Sequence, residues 1–336
     1  MISRERIIRT LQFQNPDKLP VDLWILPATR IKYGQKFEEL LEKYERDIVS
    51  VDGPLDLSFH PKTYEVGTYV DDWGSEWSVL QAGMAGEVKK PVLEDFEKMR
   101  HFVSPLETFK ARWSEYQPRL DTRIGQAREA GKFIIGGWIS LFERMQFIRG
   151  TENLYCDMAE QNREFFQIRD LVFDFYKEYL KSWLEKDVDG IAFGDDWGSQ
   201  RALLISPALW RGLFQELYQE LFNLIKAKGK FVFFHSDGYI MDLYPEFIKM
   251  GVDAINSQLW CMGVENVAAR YAGKITFWGE ISRQDTLPRG TAADIRAAAA
   301  KMKQHLFVNG GGLIGQGETG KDVPLENVEV LLTCWN

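Results

Sequence analysis

Cysteine, histidine and positive charge are all scarce in this sequence, and no long apolar run interrupts it. Its three cysteines, Cys156, Cys261 and Cys334, lie far apart without C-x-x-C spacing. That excludes a disulfide framework and a thiolate zinc cluster, and it fits a reducing cytoplasm. Lysine and arginine number 41 against 49 Asp and Glu, a formal net charge of −8. The carboxylates are scattered, so no basic stripe is left to neutralise nucleic-acid phosphates. No stretch approaches the roughly 18 apolar residues of a membrane span. The opening Met-Ile-Ser-Arg-Glu-Arg-Ile-Ile-Arg is charged where a signal peptide is apolar, so neither membrane insertion nor secretion is expected. Low-complexity tracts, a Pro/Ser-rich linker and internal repeats are missing too, and residues 1–336 read as one domain.

What is present is a hydrophobic fraction of 45% with 27% charged residues, the balance of a globular chain with one large core. Eleven tryptophans exceed what this length usually carries; most serve as core filling, and some can line an aromatic pocket. Short β-rich apolar runs alternate with helical periodicity, the pattern of a parallel sheet with crossover helices. Eight runs stand out: Leu19–Trp24, Ile48–Asp52, Phe133–Gly137, Gly190–Asp195, Phe231–His235, Ala254–Gln258, Ile275–Glu280 and Leu313–Glu318. Helices are expected at Ser3–Leu11, Phe37–Glu45, Leu106–Ala130, Thr151–Leu184, Val264–Tyr271, Ala292–Leu306 and Pro324–Cys334, the last with Asp322 as cap. A further helix starts at Ser206-Pro207, a serine cap before proline at the first position, and Gly229 closes it. The order is that of a (β/α)₈ TIM barrel, with a β-rich insertion, Phe59–Val92, between its second and third strands.

Catalytic groups of such barrels come from the C-terminal ends of the strands. Seven of the eight runs deliver polar groups there: Asp22, Asp52, Asp195 with Asp196, His235 with Asp237, Asn256 with Gln258, Glu280, and Gln316 with Glu318. Each alone has a plain reading as a turn or helix cap. Together they form a rim of carboxylates around one imidazole, which calls for a compensating cation, metal or substrate charge. His235 is expected to act as metal ligand or proton carrier. One of Asp195 and Asp196 should face the cavity and the other hold the loop. Trp24 and Trp197 join the candidates for substrate contact with Asp22, Asp195, Asn256, Gln258 and Gln316. The run Asp-Asp-Trp-Gly-Ser occurs at 71–75 and again at 195–199; the first copy reads as a turn inside the insertion. Gly310-Gly311-Gly312 leads into a strand, so it is no phosphate loop.

The order of motifs resembles the uroporphyrinogen decarboxylase superfamily, which includes tetrapyrrole decarboxylases and the methyltransferase subunits of corrinoid-dependent systems. The likeness rests on Arg4-Glu5-Arg6 with Asp17-Lys18-Leu19-Pro20-Val21, on Asp71-Asp72-Trp73-Gly74, and on Phe142-Glu143-Arg144 with Arg149-Gly150. It continues through Gly194-Asp195-Asp196, Ser206-Pro207, Phe234-His235-Ser236-Asp237-Gly238, Trp278-Gly279-Glu280-Ile281 and the tail from Gly311 through Gln316 and Glu318 to Glu326-Asn327-Val328. The resemblance implies a (β/α)₈ barrel and a homodimer.

Two departures bear on activity. The decarboxylases hold their acidic tetrapyrrole with an Arg-Gln-Ala-Gly-Arg loop, where this chain has Leu26-Pro27-Ala28-Thr29-Arg30-Ile31-Lys32. The thiol-directed methyltransferases bind zinc through His-x-Cys and a second cysteine, where this chain has His235-Ser236-Asp237 and Gln316-Gly317-Glu318. A harder zinc site of His235 with Asp237, Glu280 or Glu318 is the corresponding expectation. The first reading is therefore a methyltransferase component that demethylates a small methylated substrate, such as a methoxylated aromatic, and delivers the methyl to a corrinoid protein, with His235 and Asp196 at the chemistry. The second is a decarboxylase in which Asp52, placed near that family's essential aspartate, stabilises a cationic intermediate. The third is a non-catalytic barrel that binds a ligand or a corrinoid protein.

Overall fold

The computed structural model describes residues 1–55 and 62–335. In chain order its strands are β1 (Trp24–Ile25), β2 (Ile48–Val51), β3 (Gly67–Val70), β4 (Glu76–Val79), β5 (Glu87–Lys90), β6 (Phe133–Ile139), β7 (Gly190–Gly194), β8 (Phe231–Ser236), β9 (Ala254–Ser257), β10 (Thr276–Trp278), β11 (Leu313–Ile314) and β12 (Glu318–Thr319). Seven of them form one parallel sheet in the order β11-β10-β9-β8-β7-β6-β2. β11 and β12 are two parts of one extended segment, the first paired with β10 and the second with β1. A further parallel bridge joins Val21 to Gly315, so the sheet curls into an eight-stranded TIM barrel. Between β1 and β2 the described residues form no ladder. That seam is fastened at its base, where Asp47 accepts the Val21 N–H at 2.8 Å and donates its own N–H to the Val21 carbonyl at 2.8 Å.

Side chains alternate across each strand, and the two faces build two cores. Phe133 and Ile135 of β6, Ala192 of β7, Phe233 of β8, Ala254 of β9, Trp278 of β10 and Ile314 of β11 fill the barrel interior. Ile7 and Leu11 of the first helix, Ser3–Leu11, close its lower end. The opposite strand faces pack against the helical shell in a larger cluster. At the lower rim Asp47, Asp189 and Asp253 precede β2, β7 and β9. Each takes a backbone N–H from the adjoining strand or its approach, Val21, Ile134 and Val232 respectively. This end is devoted to stability and leaves the opposite end free for chemistry.

Gly311 shows why the triple glycine is needed: a Cβ there would lie 2.5 Å from the Thr10 carbonyl oxygen, where the last strand passes under the first helix. All eight expected strands are present, β1 starting late and short. The helix expected over Thr151–Leu184 is two, Thr151–Glu160 and Arg163–Leu184. Gln161 turns left-handed and the Asn162 side chain caps the second by accepting the Phe165 N–H. Asp322 does not cap the final helix; Pro324 occupies that position without a side-chain bond. The insertion is an antiparallel sheet, β3-β4-β5, around Tyr69, Trp77 and Val79. Its expected first residues, 59–61, with His60, lie outside the described residues. Among the described residues no helix is long and apolar enough to cross a membrane.

Candidate active site at the barrel mouth

A cavity of 680 Å³ runs along the β1/β2 side of the barrel, from Glu45, Arg46 and Lys132 near the lower rim to Asp52 and Glu318 at the upper end. Ile48, Ile135 and Ala192 contribute apolar surface, and Trp24, Trp138 and Trp278 contribute indole rings. Trp24 meets Trp278 edge to face, with centroids 4.9 Å apart and planes at 88°, and meets Trp138 at 6.1 Å and 71°. Gly194 makes room for this arrangement: a Cβ there would lie 2.0 Å from the Trp138 ring. The Trp278 indole N–H donates to Asp22 at 2.9 Å. Burial pushes the Asp22 carboxyl up to about 6. Asp52, exposed at the end of β2, and Glu318 also border the cavity.

The same tryptophans adjoin His235, whose ring centroid lies 5.2 Å from Trp24 and 6.0 Å from Trp138. The imidazole is held in one tautomer by a chain of amides. Asn256 Nδ2 donates to the Trp278 carbonyl at 2.6 Å and to Gln316 Oε1 at 3.2 Å. Its Oδ1 must therefore accept from His235 Nδ1, 2.7 Å away, which leaves Nε2 with a lone pair in the neutral ring. Nε2 faces Asp196 at 3.5 Å and Asp237 at 3.6 Å. Ligating atoms of these three residues lie within 4.8 Å of one another. One imidazole nitrogen and two carboxylates, with the far ring nitrogen anchored, are the groups that could hold a divalent metal ion.

Glu280 and Glu318, expected as ligands, sit elsewhere in the arc, gathered with Asp237 around Arg283. Arg283 bonds Glu318 at 2.9 Å, pairs closely with Asp237, and has Glu280 at 3.9 Å. Burial alone would weaken the guanidinium, yet Glu280, Glu318 and Asp237 together raise its pKa. Burial pushes the Glu280 carboxyl up to about 8, and its Oε2 has no partner. Asp237 Oδ1, 3.6 Å from His235 Nε2, is likewise buried without a hydrogen bond. Glu143 approaches from the helix Leu141–Arg149. Its pKa is raised well above the usual carboxylate range, by burial first and then by Asp196, Asp195 and Asp237. Asp196 is raised too, chiefly by enclosure. Such a group of carboxylates holds protons that exposed ones release.

Between the two adjacent aspartates the structure decides plainly. Asp196 faces His235, whereas Asp195 is fully buried. Asp195 accepts the Leu141 and Glu143 N–H groups at 2.8 Å each and the Tyr218 hydroxyl. Trp197, expected at the substrate, is also fully buried and stacks on Phe142 at 4.2 Å. Both side chains are enclosed by the helical shell, and neither lines the cavity. Gln258 pairs with Gln200 at 2.5 Å. Asn256 and Gln316, 0% exposed, position His235. Sequence reasoning missed Arg283 and Glu143. Arg283 follows Glu280 by three residues and Glu143 lies one helical turn beyond β6, so neither ends an apolar run.

The family model described as uroporphyrinogen decarboxylase (URO-D) matches residues 85–335. Among solved structures the chain is similar to a methyltransferase from Methanosarcina mazei, with 14% identity and a TM-score of 0.71 over 99% of this chain and 98% of that one. At that identity the likeness is one of fold. It also aligns with the C-terminal domain of a putative chitinase from Desulfitobacterium hafniense DCB-2, at 11% identity and a TM-score of 0.41 over 95% and 99% of the two chains. That likeness is too distant to carry an argument. No curated protein matches the sequence.

Proposed function

The chain belongs to the uroporphyrinogen decarboxylase (URO-D) family, and from that premise we propose that it is a methyltransferase component, moving a methyl group from a small methylated substrate to the corrinoid of a partner protein. The observation that carries this reading is the charge of the pocket. Asp22, Glu45, Asp52 and Glu318 border the cavity, against Arg46 and Lys132. Lys132 is already engaged by the Arg46 carbonyl and Glu45. A tetrapyrrole bearing several carboxylates would meet repulsion there. Arg30 and Lys32 do not relieve it, since Arg30 pairs with Glu38 and Lys32 reaches the Lys321 carbonyl. The fold shared with the Methanosarcina mazei methyltransferase is in keeping with methyl transfer without arguing for it.

In this reading the indoles exclude water from the transferring methyl and orient the substrate. Asn256 and Gln316 hold the His235 ring with Nε2 toward Asp196. Glu143 and Asp196 keep a proton available at the mouth. Zinc held by Asp196, His235 and Asp237 would supply Lewis acidity toward the leaving atom.

The test incubates the purified chain with cob(I)alamin and a panel of O- and N-methylated compounds, reading demethylated product by mass spectrometry, with uroporphyrinogen in parallel. Demethylation of one panel member supports the proposal; decarboxylation of the porphyrinogen without any demethylation overturns it. Metal analysis bears separately on zinc: about one ion per chain, lost in His235→Ala, is the expected result.

A further inference from the structure

We propose that the cavity walled by Trp24, Trp138 and Trp278 takes a methylated ammonium group, so that the substrate class of this site is a quaternary amine rather than a neutral ether. The inference rests on the methyl-transfer reading for the fate of the methyl, and on the cavity alone for binding.

Three observations converge. First, the walls meet at 88° and 71°, edge to face, forming a corner of a box rather than a slot for a flat ring. A slot for a neutral aromatic ligand needs roughly parallel rings, whereas a cation needs π faces presented from different directions. Second, carboxylates outnumber cations on the cavity wall, Asp22, Glu45, Asp52 and Glu318 against Arg46 and Lys132. Asp22 is anchored to the indole N–H of Trp278, and Asp52 and Glu318 stand at the rim. Third, much of the rest of the wall is apolar: Leu23, Ile25, Ile48, Val51, Ile135 and Ala192 offer no acceptor side chain, and Tyr44, Ser50 and Tyr64 supply only hydroxyls. Beside those apolar residues a primary or secondary ammonium would leave N–H groups unpaired, while a quaternary nitrogen has none to pair. At 680 Å³ the cavity falls within the size range of small-molecule pockets and has space for substituents beyond the head group.

The chemistry also fits the mouth. When a methyl passes from a quaternary nitrogen to a cobalt(I) corrinoid, the C–N bond breaks and its electron pair stays on nitrogen as a neutral tertiary amine. The cobalt's own pair makes the new bond to carbon, and no proton is taken up. The carboxylates then serve as counter-charge to the bound cation, which disappears on product formation and so favours release.

The discriminating experiment compares choline with 3,3-dimethyl-1-butanol, of the same shape without the charge, by isothermal titration against the wild-type chain with no corrinoid present. About tenfold or tighter binding of choline is expected, narrowing severalfold in Trp24→Leu and Trp138→Leu. Saturation-transfer NMR from aromatic protons to the choline N-methyl protons needs no variant and should give a strong signal. Equal or tighter binding of the alcohol, or no transfer to the N-methyl protons, overturns the proposal. Choline binding without any methyl transfer would retain this inference and remove the methyl-transfer reading. Demethylation of neutral methoxy compounds without choline binding would do the reverse.

Discussion

The chain carries the run Asp-Asp-Trp-Gly-Ser twice, and both copies grip the same helix. In the insertion, Asp71 accepts the N–H groups of Trp73 and Ser75 at 3.0 and 2.9 Å, pairs with Arg144 at 3.1 Å, and brings that guanidinium over Trp73. After β7, Asp195 accepts the N–H groups of Leu141 and Glu143 at the start of the same helix, Leu141–Arg149, and Trp197 stacks on its Phe142. In both copies the first aspartate organises backbone and the tryptophan packs. The second aspartates part company. Asp72 meets Arg112 at 2.7 Å on the surface, while Asp196 meets His235 with carboxylates around it. An identical pentapeptide becomes a fastening in one place and a site in the other, according to what the second carboxylate faces.

Breaking the gripping residues should cost the most. Asp195→Ala leaves two helix N–H groups and the Tyr218 hydroxyl without their acceptor, and a loss of about 3–5 kcal/mol in stability is expected by chemical denaturation. Asp196→Asn should instead lower methyl-transfer turnover about a hundredfold with an unchanged melting temperature. A shared loss of stability would erase the distinction between the two neighbours. Asp71→Asn keeps a turn acceptor but removes the charge opposite buried Arg144, for a stability loss of about 1–3 kcal/mol and little change in KM.

The carboxylates at the mouth give a smaller, pH-dependent effect. Glu280 is pushed up to about 8 and Asp22 to about 6, so the folded chain holds protons that the unfolded chain releases near its ordinary carboxylate range. Stability contributed by these groups is present at low pH and is lost as pH rises toward the folded values. The slope is roughly 1.4 kcal/mol per pH unit for each proton held. Glu280→Gln, which imitates the protonated form, should flatten the fall between about pH 6 and 8. Smallest of all, Asp72→Ala should change stability by no more than about 1 kcal/mol, because its ion pair is partly exposed.

Much of the barrel was legible because its strands are apolar runs punctuated by turn residues, and β6 to β12 follow that pattern closely. The seam between β1 and β2 was not, since pairing across it depends on the curvature of the whole sheet rather than on any local period. His235, Asp196 and Asp237 were legible as strand-end groups. The gathering of Glu280 and Glu318 with Asp237 around Arg283 was not, because Arg283 is a loop residue that leaves no periodic trace. The doubled pentapeptide shows the same limit. Its composition announces a turn with a buried tryptophan in both places, but partners distant in sequence, Arg112 and His235, decide what the exposed carboxylate does.

The central claim is that the mouth around His235 and Asp196 transfers methyl groups, and cob(I)alamin absorbance tests it most directly. With wild-type chain and a methoxylated donor, whose leaving oxygen takes up a proton, the account predicts loss of the cobalt(I) spectrum at a rate proportional to enzyme. Asp72→Asn should match wild type and Asp196→Asn should run about a hundredfold slower. Equal rates for all three chains, or no methylation from any methylated donor, would contradict it.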